Sequence, residues 1–154
     1  TLKKAIEFKN EVLLAETKAK MKTALPQKAE AFANTADMQY YQAIKDVKKY
    51  LKSAQALQQS EIKNNAAQLH DLVITMMRSF PEDEKVLEQA EKWAKMAAEN
   101  GGLPEYYLTL AEVYKRQDNP EKARVAALKA REIVGEKDNN FKMKVDFFIE
   151  SLQG

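Results

Sequence analysis

The chain has no cysteine. Disulfides, thiol catalysis and cysteine-bound zinc are thereby excluded. It has one histidine, four glycines and four prolines in 154 residues. Turns and bulges draw on glycine and proline, so their scarcity points to a mostly helical chain. No stretch approaches the ~20 consecutive apolar residues that a membrane-spanning helix needs. A glycine-rich phosphate loop is missing too, since Gly101-Gly102 reads as a helix stop. The acidic run Glu82-Asp83-Glu84 lacks the alternate spacing and the glycine of a calcium loop. It suits a helix N-terminus, where negative charge meets the dipole. The net charge is +2, too small to imply nucleic acid.

What is present describes a globular domain. Hydrophobic residues make up 45% and charged residues 31%, a composition that can bury a core. A chain of this length is enough for one ordinary domain. Charge is uneven along it. Residues 1–63 carry 12 lysines against 7 acids, and residues 64–154 carry 13 basic against 16 acidic side chains. Such scatter fits a solvated surface, and it also leaves open an anionic contact on the N-terminal part. The chain begins at Thr1, which reads as a processed protein or a piece of a longer one.

Apolar residues recur at spacings of three and four, and the breakers fall between these runs. A first helix is expected over about Leu2 to Lys22, with Leu2, Ala5, Ile6, Val12, Leu13 and Ala19 inward. A short segment follows over Gln27 to Asn34. A helix over about Asp37 to Gln59 turns Tyr40, Tyr41, Ile44, Val47, Leu51, Ala54 and Leu57 inward. Ser60 is read as the N-cap of the next helix, which runs to Ser79. Further helices are expected over Glu82 to Asn100, across Pro104 to Glu136 in two parts, and over Asn140 to Leu152. Period-two alternation is absent, so no strand is expected. The fold class is all-α, with seven or eight helices in antiparallel hairpins. Residues 1–60 form an N-terminal helical segment and residues 61–154 an array closed by a final helix.

The stretch Pro104 to Glu136 is the most patterned. Two helical runs flank the turn Gln117-Asp118-Asn119-Pro120, with Tyr107, Leu110, Ala111, Tyr114, Ala123, Ala127 and Ala130 where antiparallel helices would touch. This spacing resembles a tetratricopeptide repeat. Ala90, Ala94 and Ala97 match Ala123, Ala127 and Ala130 at a shift of 33 residues, so Leu87 to Ala98 resembles the second helix of a looser repeat. The resemblance covers about 33 residues well and roughly 70 loosely. It implies a stacked helical array, capped by Phe141, Val145, Phe148 and Ile149 of the last helix, and a scaffold for contact rather than for chemistry. It also implies that the first helix of each pair lines a concave face. The partner-binding residues implied are Glu105, Leu108, Thr109, Glu112 and Arg116, with Lys115 on the same face. The chaperone-binding branch of that family clamps a peptide carboxylate with Lys, Asn and Arg. Here Leu108, Thr109 and Glu112 stand at those places, which argues against that clamp and for a basic or neutral segment.

His70 lies beside Asp71 on a helical run with no second histidine at metal-ligand spacing. It reads as a partly buried or surface histidine, and no catalytic residue, metal or cofactor is expected. One member of each pair Tyr40-Tyr41 and Tyr106-Tyr107 should be core and the other lean outward. Trp93 and Met76-Met77 read as packing residues.

The segments Asp37 to Tyr50, Asn64 to Ala67 and Leu87 to Ala98 also resemble the helical region that follows a thioredoxin-like domain in some bacterial envelope proteins. That resemblance implies a redox cysteine pair in an upstream domain and a periplasmic or envelope location; without it the location would be cytoplasmic. Three classes stay open. A binding module predicts an exposed groove on the helix from Pro104. A structural appendage predicts that helices one to three fill it. An enzyme predicts a closed pocket around His70. A protein or peptide partner, or an upstream domain of the same chain, is expected, with no nucleic acid and no membrane span.

Overall fold

The structure is a computed structural model and describes residues 1–153. Among the described residues there are nine α-helices and no strand. The chain divides into two compact units, 1–63 and 64–154.

In the first unit α1 (Leu2–Glu7) and α2 (Glu11–Ala24) pair, as do α3 (Ala29–Ala43) and α4 (Val47–Leu57). The single helix expected over Leu2 to Lys22 is therefore broken. Lys9 takes a left-handed conformation, φ 48°, and the Asn10 side chain accepts from the amides of Val12 and Leu13 to start α2. The restart turns Val12 outward, to 67% exposure. The helix expected over Asp37 to Gln59 is broken in the same way, by Lys45 at φ 61° and an Asp46 cap. Lys9 and Lys45 are good helix formers, and apolar spacing that runs on across both turns hid them despite the caps Asn10 and Asp46. Ala5, Leu14, Ala36 and Tyr40 form the core of this unit, with Leu2, Ile6, Leu13, Phe32, Tyr41 and Ile44 packed around it. A π-turn, Gln58–Ile62, continues α4 through Ser60, whose hydroxyl donates back to the Ala56 carbonyl. Ser60 is thus no cap.

In the second unit the cap of α5 (Ala66–Ser79) is Asn65, which accepts from Gln68 N–H at 3.0 Å. Next come α6 (Glu84–Gly101), α7 (Pro104–Arg116), α8 (Pro120–Val134) and α9 (Asn139–Ser151), each packed on its predecessor, with α7 also against α5. Alanines make the close approaches. Ala90, Ala94, Ala97, Ala111, Ala123, Ala127 and Ala130 are all buried, and such small side chains let the packed helices α6, α7 and α8 approach closely. Gly101 is the last residue of α6, one past the expected end. A Cβ there would run into the Tyr106 ring and Ala66. Gly102, at φ 65°, is the left-handed cap that ends the helix.

A period runs through both units. The second helix of each pair is capped by Asn10, Asp46, Asp83 and Asn119, which stand 36, 37 and 36 residues apart. The preceding turn repeats as well. Asn10, Asp46 and Asn119 each donate their backbone N–H to the carbonyl five residues earlier, closing the same turn around Lys9, Lys45 and Asp118. Residues 1–60, expected to hold no clear repeat, therefore carry the same helix-pair period as the rest. The architecture is an all-α array of helical hairpins with a C-terminal helix.

Candidate functional site

Alternate helices of the second unit, α5, α7 and α9, contribute to one open groove of about 530 Å³. Helical spacing selects the lining. His70, Ile74 and Met77 share a face of α5; Glu105, Leu108, Thr109 and Glu112 share a face of α7; Phe141, Lys144 and Phe148 share a face of α9. The lining is mostly apolar, with Glu105, Glu112, Lys115 and Lys144 as its charged members.

Four of the five residues expected to meet a partner line this groove, and they differ in state. Glu105 is exposed, while Leu108 and Glu112 are half-buried. Thr109 is buried and already engaged, its hydroxyl 2.9 Å from His70 Nε2. Arg116 lies outside the lining. Its Nε donates to Glu112 at 3.2 Å and its Nη1 to the Met77 carbonyl at 2.8 Å, so it ties α7 to the end of α5. It borders a separate polar crevice with Lys115, Gln117 and the acids Glu82, Glu84 and Glu88. Lys115 reaches across to α9, donating to Ser151 at 2.9 Å and standing 5.4 Å from the Phe148 ring centre.

His70 does not sit in a closed pocket. Its ring packs on Tyr106, centroids 4.7 Å apart, and bridges α5 to α7 through Thr109. Asp71 stands 3.8 Å from Nδ1 with its carboxylate 84% exposed, too distant and too wet to orient the ring firmly. The amides around Thr109 lie inside α7 and are spent on helical bonds, so no donor pair faces its hydroxyl. This arrangement fastens two helices. It also explains the aromatic pair, since Tyr106 is the buried member and Tyr107, expected in the core stripe, is only half-buried. Tyr40 is likewise buried and Tyr41 half-buried.

Ile74, Met77, Phe141 and Phe148 were legible in the sequence only as core residues, or not singled out. The signal that would have placed them was the helix-pair period, which makes α5 and α9 counterparts of α7 and puts their equivalent faces on one side. Among the described residues no group of three His, Asp or Glu side chains could hold a metal ion, and no helix is long and apolar enough to cross a membrane.

Comparison with protein-family models, with curated proteins and with solved structures gives no match.

Proposed function

We propose that this chain is a non-enzymatic protein-interaction module of the tetratricopeptide type that takes a peptide segment along the groove of α5, α7 and α9. The observation that carries this reading is the groove itself: an apolar lining of Ile74, Leu108, Phe141 and Phe148 held on three helices, with charged side chains among it. Side chains fixed on packed helices lose little order on binding, which favours affinity. A helix-pair period close to the roughly 34 residues of that repeat, and alanines at its close approaches, support the assignment.

Charge narrows the ligand. Glu112 is partly neutralised by Arg116, whereas Glu105 makes no ion pair among the described residues. The segment that fits is apolar, with a Lys or Arg placed to meet Glu105. Fluorescence anisotropy with labelled apolar peptides, one set carrying Lys or Arg and a matched set carrying Asp or Glu, tests this. The basic set should bind, weaken as salt rises, and lose about tenfold in affinity against Leu108→Asp. Equal binding of both sets, or binding indifferent to Leu108→Asp and Glu105→Lys, removes the groove from consideration.

A further inference from the structure

Several charged side chains around the groove find an opposite charge within the chain. Glu112 takes Arg116, and on α9 Lys142 takes Glu136 and Asp146 takes Arg131. Three that line the groove do not. Glu105, Lys115 and Lys144 make no ion pair among the described residues.

Lys115 is held in place without an acid. Its ammonium donates to the Ser151 hydroxyl at 2.9 Å and stands 5.4 Å from the centre of the Phe148 ring. Ser151 is itself fixed, donating to the Phe148 carbonyl at 2.6 Å. An ammonium has three N–H groups, so donors are left over for a ligand. A lysine held this way has already given up side-chain freedom, and a carboxylate that meets it has little left to order.

These charges have an order along the lining. Glu105 stands in the first turn of α7 and Lys115 in its last. At 1.5 Å per residue they are about 15 Å apart along the helix. Leu108 lies between them on the same face. Lys144 stands two turns before Ser151 on α9, so the side of the groove toward α9 is positive. One end of α7 thus favours a cation, the other an anion, and the middle an apolar group.

We infer that the groove reads a segment of mixed charge: Lys or Arg, any residue, an apolar residue, any residue, then Asp or Glu. The inference rests on the peptide reading above and sharpens it. In an extended segment the first, third and fifth residues share a side, and the first and fifth lie about 13 Å apart. The base then meets Glu105, the apolar side chain meets Leu108, and the carboxylate meets Lys115. A basic segment without the acid satisfies Glu105 alone and binds less tightly.

Fluorescence anisotropy with labelled peptides of one length tests this, with circular dichroism confirming that each variant is folded. All peptides share the Lys and the apolar residue, and the fifth position is Glu, Gln or Lys. The Glu peptide should bind about threefold tighter than the Gln peptide and about tenfold tighter than the Lys peptide, with both gaps shrinking as salt rises. Moving the Glu to the ninth position, which overshoots Lys115, should erase the gain. Lys115→Gln should bring the Glu and Gln peptides level, Lys115→Arg should keep the preference, and Ser151→Ala should reduce it by releasing Lys115. Equal affinity for the Glu and Gln peptides, or a preference that survives Lys115→Gln, overturns the inference. Loss of the Gln peptide on Leu108→Asp would still uphold the groove in that case, so the two readings fail separately. A chain that binds none of the peptides overturns both.

Discussion

Glu91 shows how single side chains hold the array. It stands on α6 with its carboxylate 21% exposed. Burial alone would push its carboxyl upward. Lys95 donates to one oxygen at 2.6 Å and Gln117 to the other at 3.1 Å, and together they hold it below the usual carboxylate range. Gln117 follows α7, so the carboxylate links two consecutive helices. A depressed carboxyl stabilises the fold above the pKa of the unfolded chain, and that contribution is lost as pH falls through the folded value. Urea titrations at several pH values should show stability declining below about pH 5, and Glu91→Gln should flatten that decline. An identical acid limb in the variant would mean the carboxylate contributes nothing.

The connecting turns carry most of the element-scale information. Lys9, Lys45 and Asp118 all occupy left-handed backbone, where a side chain costs about 1–2 kcal/mol. Each is followed by an Asn or Asp whose side chain caps the next helix, which offsets part of that cost. Replacing Lys9 by glycine relieves the strain and adds some freedom to the unfolded chain. A net gain of about 0.5–1 kcal/mol is expected from denaturant melts. The mirror change, Gly102→Ala, should cost about 1 kcal/mol, because Gly102 sits at φ 65° with open space around it and only the backbone objects. Opposite signs at the two sites are the check.

For the second unit as a whole, the terminal helix decides whether the array is closed. α9 buries Val145 completely and Phe141, Phe148 and Ile149 in part. Removing residues 139–154 should cost roughly 3–6 kcal/mol by area alone, lower the melting temperature and promote aggregation through the uncovered side of α8. A truncated chain that stays monomeric with an unchanged melt would show that α9 is an appendage. The outer face of α9 works in the opposite sense, since Met143 and Phe147 leave it apolar.

Much of this was written in the sequence. Scarce glycine and proline made the fold helical, three-and-four spacing marked the inward faces, and the alanines from Ala90 to Ala130 marked where helices meet. These are local properties, read along one helix at a time. The two breaks in residues 1–60 were not legible. Lys9 and Lys45 carry no turn chemistry of their own, and the capping residues after them, Asn10 and Asp46, lie inside apolar spacing that runs on across each break. The groove was half legible for a related reason. Periodicity gave the outward face of α7, but that Thr109 is taken by His70, and that Ile74 and Phe148 complete the lining, depends on residues some 35 to 40 positions apart being brought side by side. Pattern fixes which side of a helix turns inward; only the stacking decides what the other side meets.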